Sequence, residues 1–325
     1  MSILRWVTIG AVTLTSLCAS HAPAQVQARP ARIAVVAGEN EAATRAILDA
    51  FRAGLLEYGQ IEGRTYVLDI RYADGRLDRL PELVASAISR DADVIVVGSY
   101  PGIRAAKQAT SKVPIAGFSC GLELLVESLA RPGGNVTGVT CQSSELVAKQ
   151  FQLLREILPA VKRLAVLFNP SSPYSEPAVR ELRNAGSTLG IRVIEIAVRS
   201  PADFENAVAQ IRQGGADAAF LTPDAMLLYN RARLVDLLLA NHLPAMGFFP
   251  DFVDAGALLS YSSNREERYH RLAWYVDRIL KGAKPADLPV EQPTNFELVV
   301  NLRTAKALGI TIPQSVLLRA ARKVE

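Results

Sequence analysis

The 325-residue chain is poor in several residue types that define particular protein classes. It has 3 cysteines, 21 glycines and 18 prolines, and only 6% of its residues are aromatic. These counts exclude a disulfide framework, a collagen-like chain and a low-complexity chain. Hydrophobic residues make up 50% of the sequence, so we expect a sizeable buried core, and the length is sufficient for two domains.

Motifs for nucleotide and metal chemistry are missing from the sequence. No Walker-type G-x-x-x-x-G-K-[ST] occurs, and Gly38-Glu39-Asn40 follows the first predicted strand in place of G-x-G-x-x-G. His242 and His270 stand in no zinc-binding pattern. The 36 basic and 32 acidic residues are interleaved, unlike the basic patch of a nucleic-acid-binding protein. We therefore predict no cofactor, no metal and no nucleic-acid partner.

The first 24 residues have the three parts of a secretory signal peptide. Arg5 is the only basic residue, an apolar run covers residues 6–14, and the segment ends in Ala22-Pro23-Ala24. We predict cleavage after Ala24 and export to the periplasm. An uncleaved membrane anchor is the alternative, although the run is shorter than the roughly 18 residues of a membrane span. Leu17 argues against lipidation of Cys18, because a lipoprotein signal needs a small residue there.

Cys120 and Cys141 would lie in an oxidising compartment after export. Each cysteine follows a predicted strand, at 114–118 and 135–140. If these strands are parallel neighbours, their carboxyl ends lie side by side, which would bring the two Cα atoms within the roughly 7 Å that a disulfide requires. We expect a Cys120–Cys141 disulfide, and two free thiols are the alternative.

Short runs rich in valine and isoleucine alternate with amphipathic stretches from residue 32 onward. Near-continuous apolar strands separated by helices are typical of a parallel sheet covered on both faces. The pattern predicts an α/β fold of two Rossmann-like, parallel-sheet lobes. The predicted strands are 33–37, 66–72, 94–97, 114–118 and 135–140 in the first lobe, and 164–168, 192–196, 218–221, 244–247 and 257–261 in the second.

The end of the chain carries too little apolar sequence for a domain of its own. A helix is predicted over 265–281, followed by a proline-rich connector, a strand at 296–300 and a short helix. We expect this tail to return to the first lobe. The first lobe then comprises residues 25–143 and about 285–325, the second comprises 144–284, and the chain crosses between them near residues 143, 262 and 290.

One enzyme motif is present. Gly117-Phe118-Ser119-Cys120-Gly121 fits G-x-S-x-G and lies between a predicted strand and a predicted helix, as a nucleophile elbow does. The order Ser119, Asp224 and then His242 or His270 permits a hydrolase triad. The motif has no preceding oxyanion loop, and its acid and base would come from the other lobe, so a serine hydrolase is the weaker alternative.

Polar residues directly follow several predicted strands. They would lie at the carboxyl ends of the strands, which is where open α/β sheets bind ligands. Several of them are equally suited to cap the next helix. Hydroxyl groups and backbone amides at these positions would suit the carboxylate of a solute, and Asp224 would suit its ammonium group. The candidate ligand-binding residues are Asn40, Ser99, Tyr100 and Ser119 from the first lobe, and Asn169, Ser172 and Asp224 from the second.

Several motifs together resemble those of a known family along nearly the whole mature chain. They are Glu62-Gly63-Arg64, the segments 71–75, 131–139 and 252–261, Asn169-Pro170, and the segments 287–294 and 301–309. On these residues the chain resembles the substrate-binding proteins of ABC transporters, with the type I periplasmic-binding-protein fold. The resemblance implies a small solute held between two lobes that are joined by three crossovers, and a closed form that is presented to a membrane permease.

The turn Ser119-Cys120-Gly121 departs from the family pattern, because relatives tend to carry a Gly-Gly-Asp-Pro-like turn there. This loop faces the expected cleft, so the identity of the solute stays open. A ligand sensor that serves a receptor, in place of a permease, is a second alternative.

Overall fold

The computed structural model describes residues 29–141 and 144–325. The predicted signal peptide, its cleavage site and Cys18 lie outside the described residues. Among the described helices, none combines the length and the apolar character needed to cross a bilayer.

The first lobe is a five-stranded parallel sheet with the strand order β2-β1-β3-β4-β5. Its strands β1, β3, β4 and β5 are almost fully buried, as the valine- and isoleucine-rich pattern predicts. The elements are β1 (Ala31–Ala37), α1 (Glu41–Glu57), β2 (Tyr66–Tyr72), α2 (Leu80–Ser89), β3 (Val94–Val97), α3 (Tyr100–Ala109), β4 (Ile115–Phe118) and β5 (Val136–Val139).

The second lobe begins with another run of alternating helices and strands. Ser200 and Asp203 form the capping box that the sequence predicts, and they start the helical segment before α6. The elements are α4 (Ser144–Ile157), β6 (Arg163–Phe168), α5 (Ser175–Thr188), β7 (Arg192–Ala197), α6 (Phe204–Gln213), β8 (Ala218–Leu221), α7 (Ala225–Tyr229), α8 (Arg231–Ala240), β9 (Ala245–Gly247), α9 (Pro250–Asp254) and β10 (Leu259–Ser262).

The tail then returns to the first lobe and leaves it again. Helix α10 (Arg265–Leu280) packs against α1 and against β3, β4 and β5. A connector follows in which Val290 and Glu291 bond to the backbone of the first lobe. The last elements join the second sheet, whose order is β12-β11-β10-β9-β8-β6-β7 with β11 antiparallel to β10. They are β11 (Glu297–Asn301), α11 (Leu302–Ala307), α12 (Gln314–Arg319) and β12 (Arg322–Val324).

The predicted lobe assignment of the tail is therefore wrong at both ends. The sequence predicts α10 in the second lobe, but the helix packs on the first. It predicts residues 297–324 in the first lobe, but these residues extend the second sheet. The helix fits the first lobe because Gly54 of α1 allows close approach: a Cβ there would lie 2.7 Å from the backbone oxygen of His270 and 2.8 Å from Cβ of Ala273. Strand β11 completes the second sheet because its buried centre, Leu298–Val300, pairs with β10.

Three connections thus join the lobes. One lies between β5 and α4 and includes residues 142 and 143, which are outside the described residues. The second runs from Ser262 to Arg265, and the third follows Glu291 and reaches β11 at Glu297.

Cys120 and Cys141 are joined by a disulfide, with their Cα atoms 4.8 Å apart. The two cysteines follow β4 and β5, which are hydrogen-bonded parallel neighbours. The bond therefore ties the carboxyl ends of two adjacent strands together at the edge that faces the second lobe.

Candidate functional site

A narrow cavity of about 30 Å³ lies between the two lobes. It has room for about one water molecule. The loops after β3 and β4 contribute one side, the second lobe contributes the other, and the first turns of α10 close the end at the hinge. The residues that line it include Ser99, Tyr100, Phe118, Ser119, Tyr174, Tyr229, Phe249, Asp251, Arg265, Arg268 and Tyr269.

Aromatic side chains from the two lobes face each other across this cavity. Tyr100 of the first lobe and Tyr174 of the second lie edge to face, with ring centres 5.7 Å apart. Phe118 and Phe249 form a second such pair, with ring centres 6.3 Å apart. Offset and edge-to-face arrangements are those that aromatic rings prefer. The walls are therefore suited to a planar, aromatic group.

Glycines of the first lobe make room for two phenol groups. A Cβ at Gly38 would overlap the ring of Tyr229 from the second lobe, and a Cβ at Gly98 would overlap the hydroxyl of Tyr269. Burial raises the pKa of both phenols, so they are uncharged at neutral pH and act as neutral hydrogen-bonding groups. Tyr229 thus reaches from the second lobe to the backbone of the first.

A buried ion-pair cluster borders the same cavity. Glu39, at the end of the first strand of the first lobe, binds both Arg231 of α8 and Arg265 of α10. Arg265 also donates to Asp251 at 2.6 Å. Burial opposes ionisation of Asp251, but the charges of Arg265 and the neighbouring arginines outweigh it and hold its pKa below the ordinary value. The pair between Glu39 and Arg231 joins the two lobes directly.

Arg268 is placed differently from the other two arginines. It is 3% exposed and makes no ion pair with a described residue, and its Nη1 donates to the backbone oxygen and Oγ of Ser263 at 2.6 and 2.8 Å. Its guanidinium carbon lies 4.0 Å from the ring centre of Phe118 and 5.0 Å from that of Phe249. Burial lowers its pKa to about 9, partly offset by Asp251. Its Nε has no partner among the described residues.

Asp224 is the other buried charged group without an ion-pair partner in the described chain. Its Oδ1 accepts from the backbone N–H groups of Met226 and Leu227, at 2.8 and 3.3 Å, and so caps α7. Burial raises its pKa to about 6 in spite of these bonds. Its chain neighbours, Pro223 and Ala225, line the cavity.

Six of the seven sequence candidates divide into two groups. Ser99, Tyr100 and Ser119 line the cavity. Asn169, Ser172 and Asp224 lie behind its wall, where Ser172 supports Tyr174 and Asn169 bonds to Asp224.

Asn40 lies elsewhere. Its side chain accepts from the backbone N–H of Ala43 at 3.0 Å and caps α1, and it borders an open groove outside the closed cavity. The helix-capping function that the sequence offers as an alternative is the one the structure shows for this residue.

The arrangement required for a serine nucleophile is not assembled around Ser119. The Ser119 hydroxyl donates to the backbone oxygen of Cys120 at 2.7 Å. His270 bonds to Glu57 at 3.0 Å on the outside of α10, and neither it nor His242 lines the cavity. A general base within hydrogen-bonding reach of the nucleophile is the first requirement of such a site.

Sequence reasoning missed the cationic end of the cavity. Arg265 and Arg268 stand in the first turn of α10, about two turns and one turn, respectively, before the buried Leu272. A signal was present: Arg268 is four residues before Leu272 and thus falls on the apolar stripe of the helix. A basic residue on a buried stripe indicates a special partner, because charged side chains are rarely buried unpaired.

Two α/β lobes with a cavity between the carboxyl edges of their sheets define a two-lobed binding protein. Residues 32–324 match the family of ABC transporter substrate binding proteins, and the chain belongs to this family. The resemblance drawn from the sequence motifs is thereby confirmed, as is the fold class.

Individual relatives agree with this assignment. A tyrosine-binding protein of Clostridioides difficile (strain R20291) is 24% identical over 263 residues, which cover 80% of this chain and 75% of that protein. A conserved domain protein from Vibrio cholerae is 28% identical with a TM-score of 0.83. An ABC domain in complex with L-Trp from Streptococcus pneumoniae is 25% identical with a TM-score of 0.84. Both structures cover 91% of this chain and are covered completely themselves.

Proposed function

We propose that this protein captures an aromatic amino acid between its two lobes in the periplasm and delivers it to the membrane permease of an ABC importer. The observation that carries the proposal is a single cavity whose walls are aromatic side chains from both lobes, Tyr100 and Phe118 on one side and Tyr174 and Phe249 on the other. Relatives described as a tyrosine-binding protein and as a complex with L-Trp support the choice of solute.

Capture requires the lobes to separate. A cavity of about 30 Å³ is much smaller than the roughly 300 Å³ at which small-molecule pockets begin, so the solute enters an open form. The solute then shifts the equilibrium toward a closed form by as much as its affinities for the two forms differ. The three connections between the lobes supply the hinge.

Polar groups in the cavity wall and directly behind it suit the ends of an amino acid. Ser99 and Ser119 present hydroxyl groups from the first lobe. Asp224, buried behind Pro223 and without a cationic partner in the described chain, is the group we assign to the solute's ammonium. We expect Asp224→Ala to weaken binding more than tenfold. Asp224→Asn keeps an oxygen to cap α7 and separates the loss of charge from the loss of the cap.

A thermal-shift screen of residues 25–325 tests the proposal. A solute at about 1,000 times its dissociation constant adds about 4 kcal/mol to the free energy of unfolding, which raises the melting temperature by several degrees. The panel contains L-tyrosine, L-tryptophan, L-phenylalanine, L-leucine, nucleosides and aromatic acids. Stabilisation by the aromatic amino acids and not by the others supports the proposal, whereas stabilisation by nucleosides alone contradicts it.

A further inference from the structure

The ionisable side chains around the cavity are not all paired. Glu39 and Asp251 are satisfied by Arg231 and Arg265. Arg268 remains without a carboxylate within the described chain, where Asp251 and Glu297 act on it only through longer-range attraction. A buried cation without an anion is costly, because the desolvation of a charged group amounts to several kcal/mol.

The position of Arg268 is fixed by both lobes and by the hinge. Its guanidinium lies against Phe118 of the first lobe and Phe249 of the second, and both rings line the cavity. Its bonds to Ser263 hold it to the second connection between the lobes. These contacts orient the guanidinium and leave its Nε–H without an acceptor. The group is therefore prepared for a further acceptor that the described residues do not supply.

We infer that Arg268 binds the carboxylate of the solute. The inference rests on the proposed function, and it specifies which end of an amino acid lies at the hinge. A guanidinium presents several N–H donors in one plane and matches a carboxylate better than any other side chain does. Since Asp224 is the second buried charge without an ion-pair partner, the two groups would complement the two charged ends of one zwitterion.

The first test compares acids with their amides on the unaltered protein. Calorimetry measures the affinities for L-tyrosine and L-tyrosinamide, and for L-tryptophan and L-tryptophanamide. Within each pair, the two compounds differ only in that the carboxylate is replaced by an uncharged amide. A charge-assisted hydrogen bond corresponds to about 10- to 100-fold in affinity, so the acids should bind tighter by that factor. Equal affinity for acid and amide overturns the inference and leaves the proposed function standing. If neither acids nor amides bind, both are overturned.

Variants then assign the preference to one side chain. Arg268→Met keeps a long apolar chain between the two phenylalanine rings and removes the donors, so it should lose the preference for the acid while binding the amide within about threefold of the original protein. Arg268→Lys should keep part of the preference, because it retains charge but not the planar fork. If Arg268→Met weakens acid and amide equally, the arginine is structural and the inference fails.

A matched control lies one turn further along the same helix. Arg271 also stacks on an aromatic ring, 4.2 Å from Trp274, and pairs with Glu291, but it does not line the cavity. Arg271→Met should therefore leave the preference for the acid unchanged. If Arg268→Met does not fold, the comparison of acid and amide on the unaltered protein and on Arg268→Lys still decides the matter.

Discussion

The contact between Gly38 and Tyr229 allows closure of the lobes to be blocked by a single methyl group. A Cβ at Gly38 would lie 2.0 Å from the phenol oxygen of Tyr229, where ordinary contact begins at 3.4 Å, so the ring would have to retreat by about 1.4 Å. Tyr229 is half-buried in the closed form, and its ring lies against Gly38 of the first lobe. Gly38 does not have a positive φ, so Gly38→Ala is compatible with the local backbone and should spare the fold of the first lobe.

The expected size of the effect follows from the overlap. Forcing extra volume into a packed interior costs about 1–3 kcal/mol. Because Tyr229 belongs to the other lobe, this cost falls on the closed form alone and lowers solute affinity by about 5- to 150-fold. Calorimetry measures the affinity, and small-angle X-ray scattering measures whether the solute still contracts the molecule. The melting temperature without solute reports on any damage to the fold.

Two further variants make this prediction specific. Gly134→Ala is a control, because a Cβ at Gly134 meets nothing within 4 Å and its φ is not positive. The double variant Gly38→Ala/Tyr229→Ala removes the overlapping ring and should restore contraction by the solute. Unchanged affinity of Gly38→Ala, or failure of the double variant to close, would refute the argument that these two residues meet only on closure.

Other predictions concern the disulfide, the buried aspartate and the inter-lobe ion pair. The Cys120–Cys141 bond closes a loop with a sequence separation of 21, so reduction should lower the free energy of unfolding by about 3 kcal/mol, and residues 25–325 should show no reactive thiol before reduction. The pKa of Asp224 is raised to about 6 against about 3.9 in the unfolded chain, so the contribution of Asp224 to the free energy of unfolding should fall as pH rises from about 4 to 6, and denaturant unfolding of Asp224→Asn should lack this falling contribution. Glu39→Gln weakens its inter-lobe contact with Arg231 and should reduce solute affinity about tenfold by calorimetry, whereas unchanged affinity would mean that this pair does not stabilise closure.

Local patterns were sufficient to predict eleven of the twelve described strands, all except β12, and much of the cavity edge. The predicted strands coincide with those observed because buried parallel strands are nearly continuous apolar runs, and Ser99 and Ser119 follow β3 and β4 directly. The lobe that each tail element joins was not predictable in this way. Helix α10 carries one apolar face and strand β11 is apolar on both faces, and neither pattern specifies which of the two sheets the element will join. The close approach of α10 to Gly54 places the helix on the first lobe, and this contact is visible only in the folded structure.

The corrected path of the tail changes how the hinge and the cavity are related. Asn264 caps α10 directly after the second connection between the lobes, and the first turn of that helix carries both Arg265 and Arg268. Had α10 remained with the second lobe, these two arginines would move with Asp251 when the lobes separate. Because α10 packs on the first lobe, opening at residues 262–265 separates Arg265 from Asp251 and Arg268 from Phe249. Hinge rotation therefore separates the groups that form the cationic end of the cavity, and in the proposed binding mode the solute would contact this end fully only when the lobes are closed.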